Sequence, residues 1–544
     1  MTAAFPSFPS SLMTGNDYRE SLRRLRPVVY VDGRRVESVA DEPALRPGVN
    51  ALATTYDFTH DPAVAPLALA VQSDRGRTVS RMLHVNESSG DLLNKLEAVR
   101  LLCQETGCAQ RYLAHDALNG IAQAVARIDD ARGGSEHRAR FRAYLHEVQD
   151  RDLSLGIAMT DAKGDRGRRP HEQANPDTYV HVVERDGRGI VISGTKAIVT
   201  GAPYMHEFLV MPGRQMGEAD ADFAVCCAVP VDAEGVTIVA RPAGRPGEKL
   251  EHGSALFSRK YGQSTGVVMF DRVFVPWERV FYAGDWEHSH VLTYSYATHH
   301  RHSCIAARAG FGDLLIGASA LMCEANGFDP AAKANLREPM VELIKITEGF
   351  YACGVAASVY AAPDPHSGSF MPEPVFSNIG KLLLSTQIYD MHRLAHEVSG
   401  GLIVALPGPE EDHNPVTAAR LSEVLRAHPD VPYDKRIEAA RFIEDLTASY
   451  QGGWYSVISL HGGGSPAAMK QEIYRHYPVG SKVELVERLL ERGVLHQEGR
   501  PITANRQPGR CCDSGCTQPG QAVMVALPES HKSPRGGAEP PCVP

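Results

Sequence analysis

Tyr179-Val-His-Val-Val183 opens a series of four short apolar runs that decide the fold. The other three are Ile190-Val-Ile192, Phe223-Ala-Val-Cys-Cys-Ala-Val229 and Val267-Val-Met-Phe270. All four are rich in β-branched or aromatic residues, and turn pairs such as Asp186-Gly187 separate them. Short runs of this kind between turns are typical of strands. The pattern therefore predicts a compact all-β domain over residues 151–285, which we expect to form a central β-barrel.

Helical periodicity precedes this β segment. Apolar residues recur at spacings of three and four, as in Leu93, Leu96, Val99 and Leu102. Such a period is typical of helices that bury one face. Residues 1–150 are therefore predicted to form an N-terminal helical domain.

Helical periodicity also follows the β segment, and it persists for almost two hundred residues. Stretches such as Met340 to Tyr351 and Lys381 to Val398 are long enough for bundle helices. A C-terminal helical bundle is predicted over residues 286–498. Residues 499–544 are rich in Pro and Gly, carry the Cys511–Cys516 cysteines and show no period, which indicates a tail.

Composition excludes several classes of function. The chain has 544 residues, a formal net charge of -9 and a pI near 6.2, so it lacks the basic field of a nucleic-acid-binding protein. The first residues lack the basic start and apolar run of a signal peptide, and no stretch approaches the roughly 20 apolar residues of a membrane span. Eleven cysteines in a chain this long suggest reduced thiols. We expect a cytoplasmic enzyme with a small-molecule substrate.

Seven sequence blocks, in order, resemble the flavoprotein superfamily of 4-hydroxyphenylacetate 3-hydroxylase, especially its 4-hydroxybutyryl-CoA dehydratase branch. They are Met13-Thr-Gly-Asn-Asp-Tyr-Arg-Glu-Ser-Leu22, Met159-Thr-Asp-Ala-Lys-Gly-Asp-Arg166, Gly194-Thr-Lys-Ala-Ile-Val-Thr-Gly201, His206-Glu207, Gly310-Phe-Gly-Asp-Leu-Leu-Ile-Gly-Ala318, Ser399-Gly-Gly-Leu402 and His461-Gly-Gly-Gly-Ser-Pro466. The resemblance implies an α+β, acyl-CoA-dehydrogenase-like fold, an FAD cofactor and a homotetramer. It leaves the cysteine-containing tail unexplained.

Two of these blocks supply candidate flavin contacts. A strand that ends in Thr-Gly lets a hydroxyl approach an isoalloxazine ring while the glycine clears the plane of the ring. Thr160 and Thr200 are the candidates, although threonine is also an ordinary strand residue. Met159 and Lys196 stand in the same blocks and are assigned to the cofactor with them.

Glycine pairs supply further candidate cofactor contacts. The backbone amides of Gly400 and Gly401 could approach a pyrophosphate or adenine, as could those of 462–464. Ordinary helix C-caps explain such glycines equally well.

The chain departs from the dehydratase pattern at the metal site. That branch holds a [4Fe-4S] cluster through two cysteines four residues apart, a histidine, and a third cysteine seven residues after the histidine. Here the pattern falls on Cys108, Tyr112, His300 and Ala307. Two thiolates are missing, so we expect no standard cluster and assign no metal. A rearranged site of Cys108, His300 and Cys304 remains an alternative.

Four residues are the candidates for acid–base chemistry. His300 shares a helical stripe with Tyr296, Cys304 and Arg308, and it could act as acid, base or flavin contact. Glu444 falls where the dehydratases carry a functional glutamate, although it could also be a partner of Arg441. Tyr112 and Arg111 complete the set.

Neither branch of the family is matched fully. A second carboxylate of the dehydratases is replaced here by Ser264. The three phenol-binding residues of the hydroxylases align with Leu113, Ala117 and Ile157, none of which can transfer a proton. Arg111 and Tyr112 stand close by and could act instead.

The sequence thus favours an FAD-dependent monooxygenase that uses O2 and reduced flavin to hydroxylate a small aromatic or acyl substrate. A separate flavin reductase is expected, because no dinucleotide fingerprint for NAD(P)H follows a strand. The alternative is a CoA-thioester dehydratase, isomerase or dehydrogenase without the standard cluster. A third hypothesis is a non-catalytic FAD-binding relative.

Overall fold

The computed structural model describes residues 12–108, 110–243 and 256–492, with the side chains of 256–257 and 491–492 left out. The Cys511–Cys516 tail lies outside the described residues. The first part of the chain alternates six helices with two strand pairs. Its elements are α1 (Gly15–Arg24), β1 (Val28–Val31), β2 (Arg34–Arg35), α2 (Arg46–Asp57), α3 (Ala65–Ala68), β3 (Leu69–Gln72), β4 (Arg77–Ser80), α4 (Ser89–Thr106), α5 (Tyr112–Arg132) and α6 (Glu136–Asp150).

The middle of the chain is a run of strands with one short helix. It contains β5 (Leu155–Ala158), β6 (Thr160–Asp161), β7 (His181–Arg185), β8 (Gly189–Thr200), β9 (Glu207–Val210), β10 (Val225–Pro230), β11 (Val236–Ala240), α7 (Leu256–Lys260), β12 (Thr265–Pro276) and β13 (Val280–Ala283). All four apolar runs of the sequence contribute to these strands.

The last part of the chain is helical apart from one short strand pair. Its elements are α8 (Ser289–Ala325), α9 (Ala334–Val359), β14 (Ala362–Pro363), β15 (Phe370–Met371), α10 (Pro374–Ser399), α11 (Ala418–Val424), α12 (Tyr433–Thr447), α13 (Tyr450–His461), α14 (Pro466–His476) and α15 (Val479–Arg492).

The strands form two open sheets where a single closed barrel was expected. One sheet has the order β2-β1-β11-β12-β8-β6, with β7 also paired to β8, and the other has the order β13-β10-β9-β5. Within the described residues neither sheet closes on itself. The mixed helix and sheet architecture is confirmed, but the barrel is not. One reason is that β1, from the region predicted as helical, pairs in parallel with β11 and extends the larger sheet outward.

One face of the larger sheet packs against the hydrophobic core. Along β12 the side chains of Val268, Phe270, Val273 and Val275 are buried, while Met269 and Phe274 are exposed. The alternation has a period of two on either side of a register shift between Phe270 and Val273, where one extra residue keeps Val273 and Val275 on the buried face. The predicted domain bounds at 150, 285 and 498 stay predictions.

The 37-residue helix α8 lies at the centre of the helical layer. It contacts α4, α5, α9, α10 and α12, so almost every face of it is buried. Glycines permit the closest contacts. A Cβ at Gly310 would lie 2.3 Å from the backbone oxygen of Arg100, and one at Gly120 would lie 3.0 Å from the backbone nitrogen of Tyr296. Helices α4 and α5 therefore approach α8 at backbone distance.

One described helical segment, Trp286–Ala325, is long and apolar enough to cross a membrane. Two thirds of its most apolar window, 67%, is buried inside the structure. A core helix of a soluble protein passes the same test, and the burial favours that interpretation.

The buried guanidinium of Arg111 joins the first helices to the start of β5. Arg111 forms an ion pair with Asp152 and also donates to the backbone oxygen of Asp152 at 3.1 Å. It lies 3.9 Å from the ring centroid of Tyr56, whose hydroxyl donates to the same backbone oxygen. Asp152 further accepts the backbone N–H of Met13. The carboxylate and the backbone oxygen of one buried aspartate thus hold four separate parts of the chain together.

We expect Asp152→Ala to lower the free energy of unfolding by about 3–5 kcal/mol, because it leaves the Arg111 guanidinium buried without its counter-ion. Denaturant unfolding followed by circular dichroism measures the loss. The matched control is Arg393→Ala, which breaks an exposed pair with Glu397 and should cost less than about 1 kcal/mol. Equal losses in the two variants would contradict this account of Arg111.

Candidate active site

His300 lies on α8 at the centre of a hydrogen-bonded cluster. Its side chain is buried, with Nδ1 3.2 Å from Oδ2 of Asp116 and Nε2 3.6 Å from Sγ of Cys304. Asp116 is on α5, and Cys304 lies one turn further along α8. The three groups form the row Asp116–His300–Cys304, a carboxylate, an imidazole and a thiol that are joined by hydrogen bonds.

The Asp116 carboxylate has partners on both oxygens. The hydroxyl of Ser303 donates to its Oδ1 at 2.6 Å, and Nζ of Lys95 donates to Oγ of Ser303 at 2.9 Å. Lys95 Nζ also lies 3.6 Å from Oδ1 of Asp116. Burial by itself would raise the pKa of Asp116, but Lys95, His115 and His300 outweigh it and hold that pKa well below its usual range. Asp116 is therefore a buried carboxylate that stays charged.

Two tyrosine rings flank His300. The ring centroid of Tyr296 lies 5.3 Å from that of His300, with the planes 9° apart, and the centroid of Tyr112 lies 6.0 Å away. Nη1 of Arg308 donates to the Tyr112 hydroxyl at 3.4 Å. Burial raises the pKa of Tyr112 well above its ordinary value, so this hydroxyl keeps its proton. Tyr112 and His300 are thus brought together as the sequence suggested.

The Cys304 thiol and the His300 imidazole each shift the pKa of the other. Burial opposes ionisation of the Cys304 thiol, but His300, Arg308 and Lys381 outweigh it and lower the pKa of Cys304. Burial likewise favours neutral His300, yet Cys304 and Asp116 outweigh it and raise the pKa of His300 to about 9. Both shifts favour a thiolate beside an imidazolium.

A glycine loop after α13 closes against this cluster. Gly463 has φ +78°, and a Cβ there would lie 3.3 Å from Cδ2 of His300 and 3.4 Å from Cγ of Arg301. The backbone oxygen of Gly463 accepts a hydrogen bond from Nε of Arg301 at 2.9 Å. Nearby, Nζ of Lys381 donates to the backbone oxygen of Ser459 at 2.7 Å. The 461–466 block therefore contributes to the active-site wall.

Glu444 and Arg111 lie apart from the cluster. Glu444 is half-buried on α12, and burial followed by the neighbouring Asp445 raises its pKa. Its suggested partner Arg441 instead donates to Asp412 at 3.1 Å. Among the described contacts, none joins Glu444 or Arg111 to His300, and the role of Arg111 in the ion pair with Asp152 is structural.

The candidate flavin residues occupy the edge of the larger sheet. Thr160 pairs with Ile198, and Thr200 ends β8 two residues later, before Gly201 at φ +69°. Ile198 is 56% exposed, although its neighbours along the strand are largely buried. Ile198 thus offers an exposed apolar side chain between the two threonines on β6 and at the end of β8, and the flavin role of the threonines stays a prediction.

Lys196 and the glycine pair differ in what they can offer a cofactor. The Lys196 ammonium is buried in an ion pair with Asp161 and donates to the backbone oxygens of Met159 and Met211. These contacts fix the start of the 159–166 block and occupy the Lys196 ammonium with protein partners. Gly400 and Gly401 have φ +73° and +75°, and a Cβ at either would meet open space. The cofactor roles of these residues, Met159 included, stay predictions.

The donors at the family's cluster positions do not fit an iron–sulfur cluster. The Cys108 thiol donates to the backbone oxygen of Gly262 at 3.2 Å, while the Tyr112 hydroxyl faces Arg308. Ala307 has no donor atom. Across 12–108, 110–243 and 256–492, no three His, Cys, Asp or Glu side chains are grouped to hold a metal ion. The rearranged site of Cys108, His300 and Cys304 is therefore not formed either.

A pocket of about 20 Å³, room for about one water molecule, lies between α4, α7, α12 and α13. Cys108, Tyr261, Phe311 and Tyr455 are among its lining residues. The ring centroid of Tyr455 lies 4.8 Å from the Arg308 guanidinium. Through Tyr455 this pocket adjoins Arg308, which in turn donates to the Tyr112 hydroxyl.

Comparison with known proteins assigns the family. Residues 14–282 match the N-terminal part of 4-hydroxyphenylacetate 3-hydroxylase, and residues 289–491 match its C-terminal part. The chain belongs to the 4-hydroxyphenylacetate 3-hydroxylase family. Members of this family are flavin-dependent enzymes, so both the expected family and its flavin are confirmed.

Relatives from both branches match over most of their length. The 4-hydroxybutyryl-CoA dehydratase/vinylacetyl-CoA-Δ-isomerase of Clostridium aminobutyricum is 33% identical over 487 residues, 88% of this chain and 99% of that protein. The 4-hydroxyphenylacetate 3-monooxygenase oxygenase component of Thermus thermophilus is 26% identical, over 85% of this chain and 94% of that protein.

Solved structures show the same fold. The oxygen-tolerant archaeal 4-hydroxybutyryl-CoA dehydratase from N. maritimus superimposes with a TM-score of 0.84 at 33% identity, and covers 90% of this chain and 97% of its own. A 4-hydroxyphenylacetate 3-monooxygenase oxygenase component in complex with FAD has a TM-score of 0.78 at 23% identity, over 89% and 99% of the two chains.

We expect Asp116→Asn to lower the pKa of His300, because the imidazolium loses its carboxylate partner. NMR of labelled histidine should show wild-type His300 titrating near pH 9, and the variant titrating lower. The raised pKa stabilises the folded protein below about pH 6.5, and this stabilisation disappears as pH rises through His300's folded pKa. An unchanged titration would refute the assigned partner.

We expect Gly463→Ala to disturb His300, since the new Cβ meets the imidazole in a left-handed conformation. Gly368→Ala is the matched control, because Gly368 has φ +74° but open space around its Cβ. Both variants should lose about 1–2 kcal/mol of stability from backbone strain, whereas only Gly463→Ala should shift the His300 NMR signals. Identical His300 signals in the two variants would contradict the predicted contact.

Proposed function

We propose that this protein is the oxygenase component of a two-component flavin monooxygenase that hydroxylates a small aromatic or acyl substrate with O2. A separate reductase would supply reduced FAD. Bound to this protein, reduced FAD would activate O2 for transfer of one oxygen atom to the substrate. A cytoplasmic homotetramer, as the resemblance implies, belongs to the same proposal.

The donor set at the cluster positions carries this proposal. Radical dehydration in the dehydratase branch uses an iron–sulfur cluster, and Tyr112 and Ala307 cannot supply its thiolates. Flavin is then the redox group that the family assignment supports. Oxygenation by flavin needs no inorganic partner, so it suits the residues that are present.

The chain's own residues supply proton transfer and exclude water. The His300 imidazolium can give a proton to a substrate oxygen, while Asp116 fixes the ring and favours its charged form. The neutral Tyr112 hydroxyl, which accepts a hydrogen bond from Arg308, can donate to the same substrate. Burial of all three groups keeps water from competing for these contacts.

A second candidate function is FAD-dependent chemistry on a CoA thioester, either dehydrogenation or isomerisation. Identity of 33% to the dehydratase of Clostridium aminobutyricum, over 99% of that protein, favours it. His300 or the half-buried Glu444 would then move a proton beside the thioester carbonyl. A non-catalytic relative would bind FAD tightly and turn over neither kind of substrate.

Oxygen uptake with enzymatically reduced FAD tests the first function. We expect the protein to bind FAD and to reoxidise it faster than free reduced flavin, with hydroxylated product from one of a panel of phenols and aromatic acids. His300→Asn should lower kcat/KM by about 100-fold or more, because it removes a proton donor. His290→Asn, at an exposed position near the start of the same helix, is the control and should retain activity.

Anaerobic mixing separates the two functions. Bleaching of oxidised FAD by 4-hydroxybutyryl-CoA or a saturated acyl-CoA would support the second function. Reduced FAD that reoxidises no faster than free flavin, with every substrate unchanged, would contradict the oxygenase proposal.

A further inference from the structure

The thiol of Cys304 has no task in the proposed oxygenation, yet its surroundings activate it. We propose that Cys304 is a peroxide-reactive thiolate, which hydrogen peroxide oxidises to a sulfenic acid within the active site. The proposal goes beyond the oxygenase function and concerns a separate reaction of the same cluster.

Geometry provides the first argument. The row Asp116–His300–Cys304 has the order of groups that activates cysteine nucleophiles, in which a carboxylate orients an imidazole and the imidazole bonds the sulfur. The sulfur lies 3.6 Å from Nε2 of His300, and Nδ1 of the same ring lies 3.2 Å from Asp116. Since Cys304 follows His300 by one turn of α8, the helix itself fixes this contact.

Charge provides the second argument. Basic groups interact with Cys304 from three helices, although burial lowers the pKa of Lys381 to about 7 and also lowers that of Lys95. The groups with an electrostatic interaction with Cys304 are His300, Arg301 and Arg308 from α8, Lys381 from α10, Lys95 from α4, and the neutral Tyr112 and Tyr296 from α5 and α8. This surplus of positive charge favours the thiolate, which is the reactive form of cysteine.

Other cysteines of the chain lie in opposite environments. Burial raises the pKa of Cys108, Cys226, Cys227, Cys323 and Cys353, so these thiols stay protonated. Cys353 on α9 is half-exposed. It is therefore an internal control, a thiol that reagents can reach but that its surroundings do not activate. Selective oxidation of Cys304 over Cys353 would therefore report activation rather than exposure.

The reaction balances with groups that are present. Sγ of Cys304 attacks one peroxide oxygen, an S–O bond forms and the O–O bond breaks. Nε2 of His300 gives its proton to the departing oxygen, which leaves as water. The sulfur loses two electrons to the peroxide, and the products are a sulfenic acid, water and neutral His300. Arg308 can stabilise the negative charge that develops on the departing oxygen.

Size and supply both favour hydrogen peroxide as the oxidant. Cys304 is 1% exposed, so only a very small reagent can approach it. The pocket lined by Tyr455, whose ring centroid lies 4.8 Å from the Arg308 guanidinium, has room for a molecule of about the size of water. Reduced flavin that reacts with O2 without hydroxylating a substrate releases hydrogen peroxide, so the proposed function would produce the oxidant locally.

Trapping of the sulfenic acid tests the proposal. FAD-loaded protein is treated with a small excess of hydrogen peroxide, unfolded in dimedone, digested and analysed by mass spectrometry. We expect the dimedone adduct on Cys304 before Cys353, and its absence when catalase is added first. Cys304→Ser should remove it, while Cys353→Ser should leave it unchanged. Asp116→Asn should slow its formation by about tenfold, as a shift of one pKa unit implies.

Two results would overturn the proposal. One is an adduct on Cys353 while Cys304 stays unmodified. The other is a wild-type protein whose thiolate absorbance at neutral pH equals that of Cys304→Ser, a measurement that does not depend on reagent access. Because the peroxide is added directly, either result stands apart from the outcome of the oxygenase assay.

Discussion

The charge of Asp116, buried among three helices, is the constraint on which the candidate site depends. An uncompensated carboxylate in such a position would cost several kcal/mol, so each lone pair needs a partner. Lys95 from α4 and the pair His300 and Ser303 from α8 provide them. The electrostatic requirement of one side chain therefore sets how α4, α5 and α8 face each other where catalysis is proposed.

This constraint also determines the protonation of the site. A neutral His300 would remove a positive charge from beside Asp116 and would leave Cys304 as an ordinary buried thiol. The imidazolium satisfies both, which explains why burial, normally the strongest influence on a histidine, does not neutralise it. His299 and His302 lie on other faces of the same helix without a carboxylate partner, and burial lowers the pKa of both. Position around α8, rather than residue type, thus separates His300 from its neighbours.

Local sequence patterns predicted much of the fold and only part of the site. The apolar runs became strands, and the long periodic stretches became helices, because both depend on local spacing. The sheets were predicted less well, since β1 joins β11 from two hundred residues away, and no local pattern encodes that pairing. Tyr112 and His300 were both found, but Asp116 and Lys95 were missed because a charged residue on a helix is usually exposed. Asp116 follows Tyr112 by four residues, a spacing that could have placed it on the same face.

Arg111 shows the converse limit. It directly precedes Tyr112, but neighbours on a helix point about 100° apart, so proximity in sequence separates these two side chains. Arg111 turns toward Asp152 and Tyr56, and Tyr112 turns toward His300. The helical rise per residue also shows how Cys304 differs from the third cysteine of the dehydratase pattern.

A third cysteine seven residues after His300 would lie on nearly the same face, but about 10 Å along the axis, a gap that only a bridging group such as a cluster can span. Cys304 is four residues after His300, about 6 Å along the axis, where sulfur and imidazole can bond directly. With the thiol about one turn nearer to His300, a direct ion pair takes the place of the metal-bridged arrangement. Under the proposed function the chemistry of the site depends on sulfur, nitrogen and flavin, while the surrounding helices keep the family's fold.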